Sequence, residues 1–178
     1  MISVARPVVL TVVVLAAVVL QVSLFTAFSA LSYDGVVPNL ALLVVVAAGL
    51  VRGPELAAFV GFLAGLAVDI APPADHIAGR WALGLVVAGY LAGRVRQDTG
   101  SSPLAATVTV AACSFAATSV FAFSGMLLHD PAIPVGEALR VVPIAVGYDV
   151  LLTPFVLPWL IRLFRLLFRR LGQHEVAY

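Results

Sequence analysis

The sequence has few charged residues, no lysine and only one cysteine. Charged residues make up 11% of its 178 residues, whereas soluble domains carry about a quarter. The lone Cys113 excludes a disulfide framework and any multi-cysteine metal cluster. The net charge of +1, with no basic run beside a soluble domain, argues against nucleic-acid binding. With 62% apolar residues and a mean hydropathy of +1.12, the composition indicates a membrane protein.

Catalytic and cofactor-binding motifs are also missing. The chain contains no Gly-x-Ser-x-Gly, no His-Glu-x-x-His, no Walker motif and no dinucleotide-binding fingerprint. We therefore expect a scaffold or binding protein rather than an enzyme, with no cofactor and no metal.

Six apolar runs are candidates for membrane-spanning helices, and two of them are shorter than a full span. Crossing the ~30 Å hydrocarbon core takes about 20 helical residues. The runs cover about 7–28, 36–51, 56–71, 77–93, 104–128 and 138–161. They predict an all-α domain over residues 1–161, with the first run retained as a span rather than cleaved as a signal peptide.

The second and third runs are short, so they could instead form a re-entrant hairpin and leave four full spans. They meet at the turn Arg52-Gly53-Pro54-Glu55. In a hairpin, each of its two charges would lie at mid-membrane depth at a cost of at least ~2.5 kcal/mol. Six spans are therefore the preferred prediction.

The arginines predict the orientation. With a cytoplasmic N-terminus, the outer segments hold only Arg80 and Arg140, and all the other arginines are inside. Because basic residues favour cytoplasmic loops, both termini are expected in the cytoplasm. The inner arginines are Arg6, Arg52, Arg94, Arg96, Arg162, Arg165, Arg169 and Arg170.

Two pairs of glycines lie four residues apart in the third and fourth runs. They are Gly61 with Gly65, and Gly89 with Gly93. Bare glycine surfaces let helix backbones approach closely in a membrane. Packing within the chain is favoured over a dimer interface.

Three polar residues within the runs are candidates for partner contact or structural hydrogen bonding. Asp149 lies near the middle of the sixth run, and Asp69 and Gln21 lie near the ends of theirs. An ionisable group inside the membrane suggests function by default, but one acid without a second titratable partner makes a poor proton path. We expect Asp149 to be held by Thr118, Ser119 or another buried hydroxyl. Asp69 is expected to cap a neighbouring helix, face water or pair with Arg80.

The last segment, residues 162–178, is predicted to be a basic amphipathic cytoplasmic tail. At ~100° per residue, its arginines share one side. The other side holds Leu163, Phe164, Leu167, Phe168 and Leu171. Such a segment lies at the membrane surface and is attracted to anionic headgroups, or simply anchors the chain with positive charge inside. A cytoplasmic partner is a further alternative. The arginines are Arg162, Arg165, Arg169 and Arg170.

Several short motifs, taken in order, resemble the MreD family of rod-shape-determining membrane proteins. They are Leu20-Gln21-Val22-Ser23-Leu24, then Pro38-Asn39-Leu40, Arg52-Gly53-Pro54, Gly61-Phe62-x-x-Gly65-Leu66-x-x-Asp69 and Gly89-Tyr90-Leu91-Ala92-Gly93. The resemblance covers nearly the whole chain. It departs at Asn39, where the family often has Pro-Asp-Leu, and at Asp149, where the family often has an amide.

The resemblance implies an inner-membrane protein whose fold is similar to the substrate-binding subunits of energy-coupling-factor vitamin transporters. It also implies partners: an MreC-like single-span protein and, through it, MreB and the transglycosylase–transpeptidase pair that builds sidewall peptidoglycan. A vitamin-binding transporter component is the alternative. That function calls for tryptophans, asparagines and lysines around a polar ligand, and here Asn39 is the sole asparagine and lysine is absent.

Overall fold

A computed structural model describes residues 5–28, 36–71, 77–99, 102–128 and 135–173. This part of the chain forms helices and no strands, which confirms the all-α prediction. Each predicted run corresponds to one long helix. The helices are α1 (Ala5–Phe28), α2 (Leu40–Arg52), α3 (Pro54–Ile70), α4 (Arg80–Arg94), the single-turn α5 (Arg96–Thr99), α6 (Pro103–Leu127) and α7 (Val135–Gln173).

Helix α2 lies at the centre of the molecule. Every residue from Leu40 to Gly49 is buried, and α1, α3, α4, α6 and α7 all contact this helix. A helix that is apolar on all sides lies either in a protein core or in a membrane, and the Leu/Val/Ala sequence of α2 has no polar face. Here other helices enclose it. At 13 residues, α2 is only about 20 Å long.

Helices α3 and α4 pack closely along the two glycine pairs. A Cβ atom on Gly61 would overlap the carbonyl oxygen of Leu85, and one on Gly65 would overlap the backbone of Ala82. The residue numbers rise on one helix as they fall on the other, so the two helices are antiparallel. Without side chains at these positions, the backbones can come into direct contact.

The second glycine pair, Gly89 and Gly93, lies on α4 and faces α3 in the same interface. A Cβ atom on Gly89 would overlap the Ala57 carbonyl oxygen, and one on Gly93 would overlap the backbone of Pro54. Gly93 therefore brings the end of α4 against the turn between α2 and α3. All four glycines named from the sequence lie between α3 and α4.

Helix α6 runs antiparallel to α4 on the side away from α3. Cys113 donates a hydrogen bond to the Ala88 carbonyl oxygen (3.4 Å), and Arg80 contacts Phe121 further along. These contacts bring the end of α6 close to the start of α4.

Helix α7 continues beyond the predicted boundary at residue 161. It extends without interruption to Gln173, and Phe164 and Phe168 lie on the side that faces α2. Phe164 is fully buried, and the Phe168 ring lies 4.3 Å from the Arg52 guanidinium carbon. Residues 162–173 of the predicted tail therefore continue α7, because Phe164 and Phe168 pack against the bundle, and residues 174–178 lie outside the described residues.

The outer surface of the helices is strongly apolar. Two helices, Pro103–Leu127 and the Leu139–Phe168 part of α7, are long and apolar enough to cross a membrane. Patches of exposed apolar surface of this extent are rare on soluble monomers. Large exposed side chains include Val12, Leu15, Val19, Phe59, Val108, Phe115, Phe123, Leu127, Leu151, Phe155 and Trp159.

Candidate functional site

The buried start of α2 is surrounded by polar side chains. Asn39 is the N-cap of this helix, and its Oδ1 accepts a hydrogen bond from the Leu42 N–H at 2.9 Å. Pro38 therefore lies just before the cap, outside α2. An N-cap amide satisfies one of the free N–H groups at a helix start.

Asp149 of α7 holds the cap residue itself. Its Oδ1 accepts a hydrogen bond from the Asn39 backbone N–H (2.6 Å), and its Oδ2 accepts one from the Ser114 hydroxyl of α6 (2.6 Å). The Asp149 side chain is 1% exposed. Both carboxylate oxygens thus have a donor, which a buried carboxylate requires.

Gln21 reaches the same helix start from α1. Its Oε1 accepts a hydrogen bond from the Ala41 N–H at 3.2 Å. Asn39, Asp149, Ser114 and Gln21 therefore belong to four different helices that meet at one point. We refer to these four residues as the polar cluster.

The hydroxyl that binds Asp149 differs from the two named in the sequence analysis. Thr118 donates to the Ser114 carbonyl oxygen at 2.7 Å, within its own helix. Ser114, one turn earlier on α6, is the residue that reaches Asp149. The expectation of a buried hydroxyl was correct, but Thr118 and Ser119 were the wrong choices.

The polar cluster also supports the carboxylate electrostatically. A helix N-terminus carries a partial positive charge, which favours an anion placed there. Asp149 lies beside the start of α2 and accepts one of its N–H groups. The side-chain oxygens of the polar cluster accept hydrogen bonds from N–H groups at this helix start, which would otherwise need water.

Asp69 forms a second cap at the start of α4. Its carboxylate accepts hydrogen bonds from the backbone N–H groups of Gly79 (2.8 Å), Trp81 (3.2 Å) and Ala82 (3.1 Å). The side chain is buried at 3% exposure. Of the roles considered from the sequence, capping a neighbouring helix is the one that the structure shows.

Arg80 is a buried arginine that the sequence analysis did not single out as a site residue. Its Nη2 and Nε donate to the Phe121 carbonyl oxygen at 2.8 and 3.2 Å, and its guanidinium carbon lies 3.9 Å from the Phe121 ring centre. The guanidinium lies where a Cβ on Gly125 would be. The feature of the sequence that could have indicated this role is an arginine inside an apolar run. The small residue that makes room for it is Gly125 of α6. Arg80 fastens the start of α4 to the end of α6.

The structure describes the side chains of two of the four predicted tail arginines. Arg162 and Arg165 are exposed on α7. The side chains of Arg169 and Arg170 lie outside the described part of the structure.

The polar cluster has the chemistry of a structural support. Within the described residues, no group of three His, Cys, Asp or Glu side chains could hold a metal ion. The Ser114 hydroxyl points to a carboxylate, with no histidine among the cluster residues to act as its base. What the cluster does is hold four helices together at a helix start.

Comparison with known proteins adds no relative to this description. No family model, no curated protein and no solved structure matches the chain.

Proposed function

We propose that this chain is a non-enzymatic membrane scaffold of the bacterial cell-elongation machinery, of the MreD kind. Its partners are an MreC-like single-span protein and, through it, MreB and the enzymes of sidewall peptidoglycan synthesis. The ordered motifs from Leu20 to Gly93 suggest this family. The geometry at the start of α2 is the observation that favours a scaffold over a ligand-binding protein.

In secondary transporters, a helix that starts within the membrane often points its N-terminus at an anionic group of the substrate. Here α2 is about 20 Å long, too short to cross a ~30 Å core, so its start lies within the membrane in a six-span arrangement. The position of such a substrate group is filled by the carboxylate of Asp149 and the amides of Asn39 and Gln21. A site occupied by the chain's own side chains supports a scaffold.

The proposal includes a location and a topology. The chain has six spans in the bacterial inner membrane, with both termini in the cytoplasm and a fold similar to the vitamin-binding transporter subunits. The exposed apolar side chains then face lipid. In this arrangement the non-helical residues 36–39 before α2 lie at membrane depth. Non-helical backbone is tolerated there where protein encloses it.

The test is affinity purification of the tagged chain from native membranes. We expect a single-span MreC-like protein to be recovered with it, and we expect depletion of the chain to round or swell the cells and to lower the level of that partner. Recovery of a pair of ATPases with a coupling subunit would overturn the scaffold in favour of the transporter. Rescue of growth by one added vitamin would do the same.

A further inference from the structure

Five exposed arginines gather at one end of the helix bundle, which we call the arginine end: Arg52, Arg94, Arg96, Arg162 and Arg165. Arg52, Arg94 and Arg96 lie at the ends of α2, α4 and α5, and Arg162 and Arg165 lie on the part of α7 just before Phe168, which contacts Arg52. Arg52 ends α2 and lies over Phe168 of α7, and the Arg96 Nη1 lies 3.5 Å from the position of a Cβ on Gly53. Arg94 follows Gly93, which packs against Pro54.

The described charged side chains at this end are mostly positive, and the side chain of Asp98 in α5 lies outside the described part of the structure. Among the side chains described there, Glu55 is the one acid. Because lysine is absent, every cation is a guanidinium, which can bind a phosphate with two parallel hydrogen bonds.

Exposed apolar side chains lie directly beside these arginines on α7. Trp159 is 69% exposed and Leu166 57% exposed, and the Arg162 guanidinium carbon lies 5.8 Å from the Trp159 ring. Tryptophan is typical of the headgroup level of a membrane, where its ring meets both lipid and water. The arginine end therefore offers guanidinium groups and an apolar surface side by side.

We propose that the arginine end binds anionic phospholipids selectively, with the phosphate at the arginines and the acyl chains along Trp159 and Leu166. A soluble phosphate or an acidic peptide would match the charge but not the exposed apolar surface beside it. The inference rests on a membrane location and not on the scaffold role, so it stands or falls separately from the choice of partner.

Quenching of tryptophan fluorescence by brominated lipids tests this directly, because the chain has only two tryptophans. Trp81→Phe leaves Trp159 as the reporter at the arginine end, and Trp159→Phe leaves Trp81 as the reporter at the start of α4. Each variant is reconstituted in nanodiscs with brominated phosphatidylglycerol or brominated phosphatidylcholine as the minor lipid. At Trp159 we expect a preference for phosphatidylglycerol of about fivefold or more, since each arginine near an anionic surface contributes about that factor. At Trp81 we expect none.

Paired substitutions identify the residues responsible. Arg162→Gln with Arg165→Gln should lower the preference at Trp159 by about fivefold or more. The matched control, Arg140→Gln, removes an exposed arginine from the opposite part of α7 and should change nothing. Equal quenching by the two lipids, or an equal loss in the control, would overturn the proposal. So would full competition by soluble glycerol phosphate, because the ligand would then be free phosphate.

Discussion

At the scale of single residues, Asp149 joins the start of α2 to α6 and α7 at the centre of the molecule. Its carboxylate accepts hydrogen bonds from the Asn39 N–H and the Ser114 hydroxyl in an apolar interior. A buried donor that loses its partner costs about 1–3 kcal/mol. Replacement at this position therefore separates a hydrogen-bonding role from a role that needs a titrating acid.

We expect Asp149→Asn to be tolerated and Asp149→Leu to be strongly destabilising. The amide keeps an acceptor for the Asn39 N–H, and its NH₂ can donate to the Ser114 oxygen, whereas leucine leaves both donors without a partner. Thermal unfolding in detergent measures the difference. If Asp149→Asn cells lose their normal shape while protein levels stay normal, a proton relay would replace the structural role.

Asn39 and Asp149, the two positions at which the sequence departs from the MreD pattern, are in direct contact. The start of α2 has one amide, on Asn39, and one carboxylate, on Asp149. An aspartate at position 39 with an asparagine at position 149 would keep one group of each kind there. Asn39→Asp alone would put two buried carboxylates at one helix start, and their repulsion is large where the dielectric constant is low.

Asn39→Asp should therefore lower the melting temperature, and adding Asp149→Asn should restore most of the loss. The restoration is expected because residues in contact have non-additive effects. The melting temperatures of both single variants and the double variant test this. A double variant that loses as much as the two single losses combined would show that the positions act independently.

At the scale of helices, the glycines of α3 and α4 allow these two helices to pack closely. A side chain on Gly61 has no room, because its Cβ would overlap the Leu85 carbonyl oxygen. Gly147 of α7 is the natural comparison, since no atom lies within 4 Å of its Cβ position.

Gly61→Leu should lower the melting temperature in detergent. Inserting a large group into a packed site costs about 1–3 kcal/mol of folding free energy, and here the backbones of α3 and α4 must also move apart. Gly147→Leu should leave the melting temperature nearly unchanged. Equal melting temperatures for wild type and Gly61→Leu would mean that α3 and α4 do not pack through this glycine.

Helix positions could be predicted from the sequence, whereas their exact partners could not. The runs end at residues that stop helices, such as Gly53 and Pro54, so α2 and α3 were placed close to their observed bounds. The sequence ended the sixth span at Ile161, because the arginines after it suggested a surface segment, and in the structure α7 continues to Gln173 as one helix. The spacing of these arginines leaves Phe164 and Phe168 on the opposite side, and only the three-dimensional position of α2 shows that this side is covered.

The same distinction holds for the polar cluster. The sequence marked Gln21 and Asp149 as polar residues in apolar runs and predicted a hydroxyl partner for the acid. The register of α6 against α7 could not be predicted from the sequence. This register determines that Ser114, and not Thr118, reaches the carboxylate. Asn39 drew attention as the sole asparagine, but its role follows from the position at which α2 begins.

At the scale of the whole molecule, the helix directions agree with alternating spans. Asn39 contacts Asp149 and Arg52 contacts Phe168, so α2 and α7 are parallel. Helices α3 and α4 are antiparallel, as are α4 and α6. The arginine end thus forms one pole of the bundle, and Arg80 and Arg140 lie towards the other.

This polarity predicts which positions are accessible from the cytoplasm. In a Cys113→Ser background, which keeps a donor for the Ala88 carbonyl, single cysteines are placed at Ala74, Ala132, Thr99 and Glu55. Ala74 and Ala132 lie outside the described residues, and the prediction for them rests on the arginine distribution. They should react with an impermeant maleimide in intact spheroplasts, whereas Thr99 and Glu55 should react only after the membrane is opened.

Glu55 distinguishes six spans from four. In six spans the exposed Glu55 side chain follows the turn at the arginine end and lies in water, so a cysteine there reacts from the cytoplasmic side. In a re-entrant hairpin the same position lies at mid-membrane, where a charge costs at least ~2.5 kcal/mol and the reagent does not reach. A cysteine at residue 55 that stays unreactive in opened membranes, while one at residue 99 reacts, would favour the hairpin. Labelling at residue 74 only from the cytoplasm would reject the six-span orientation.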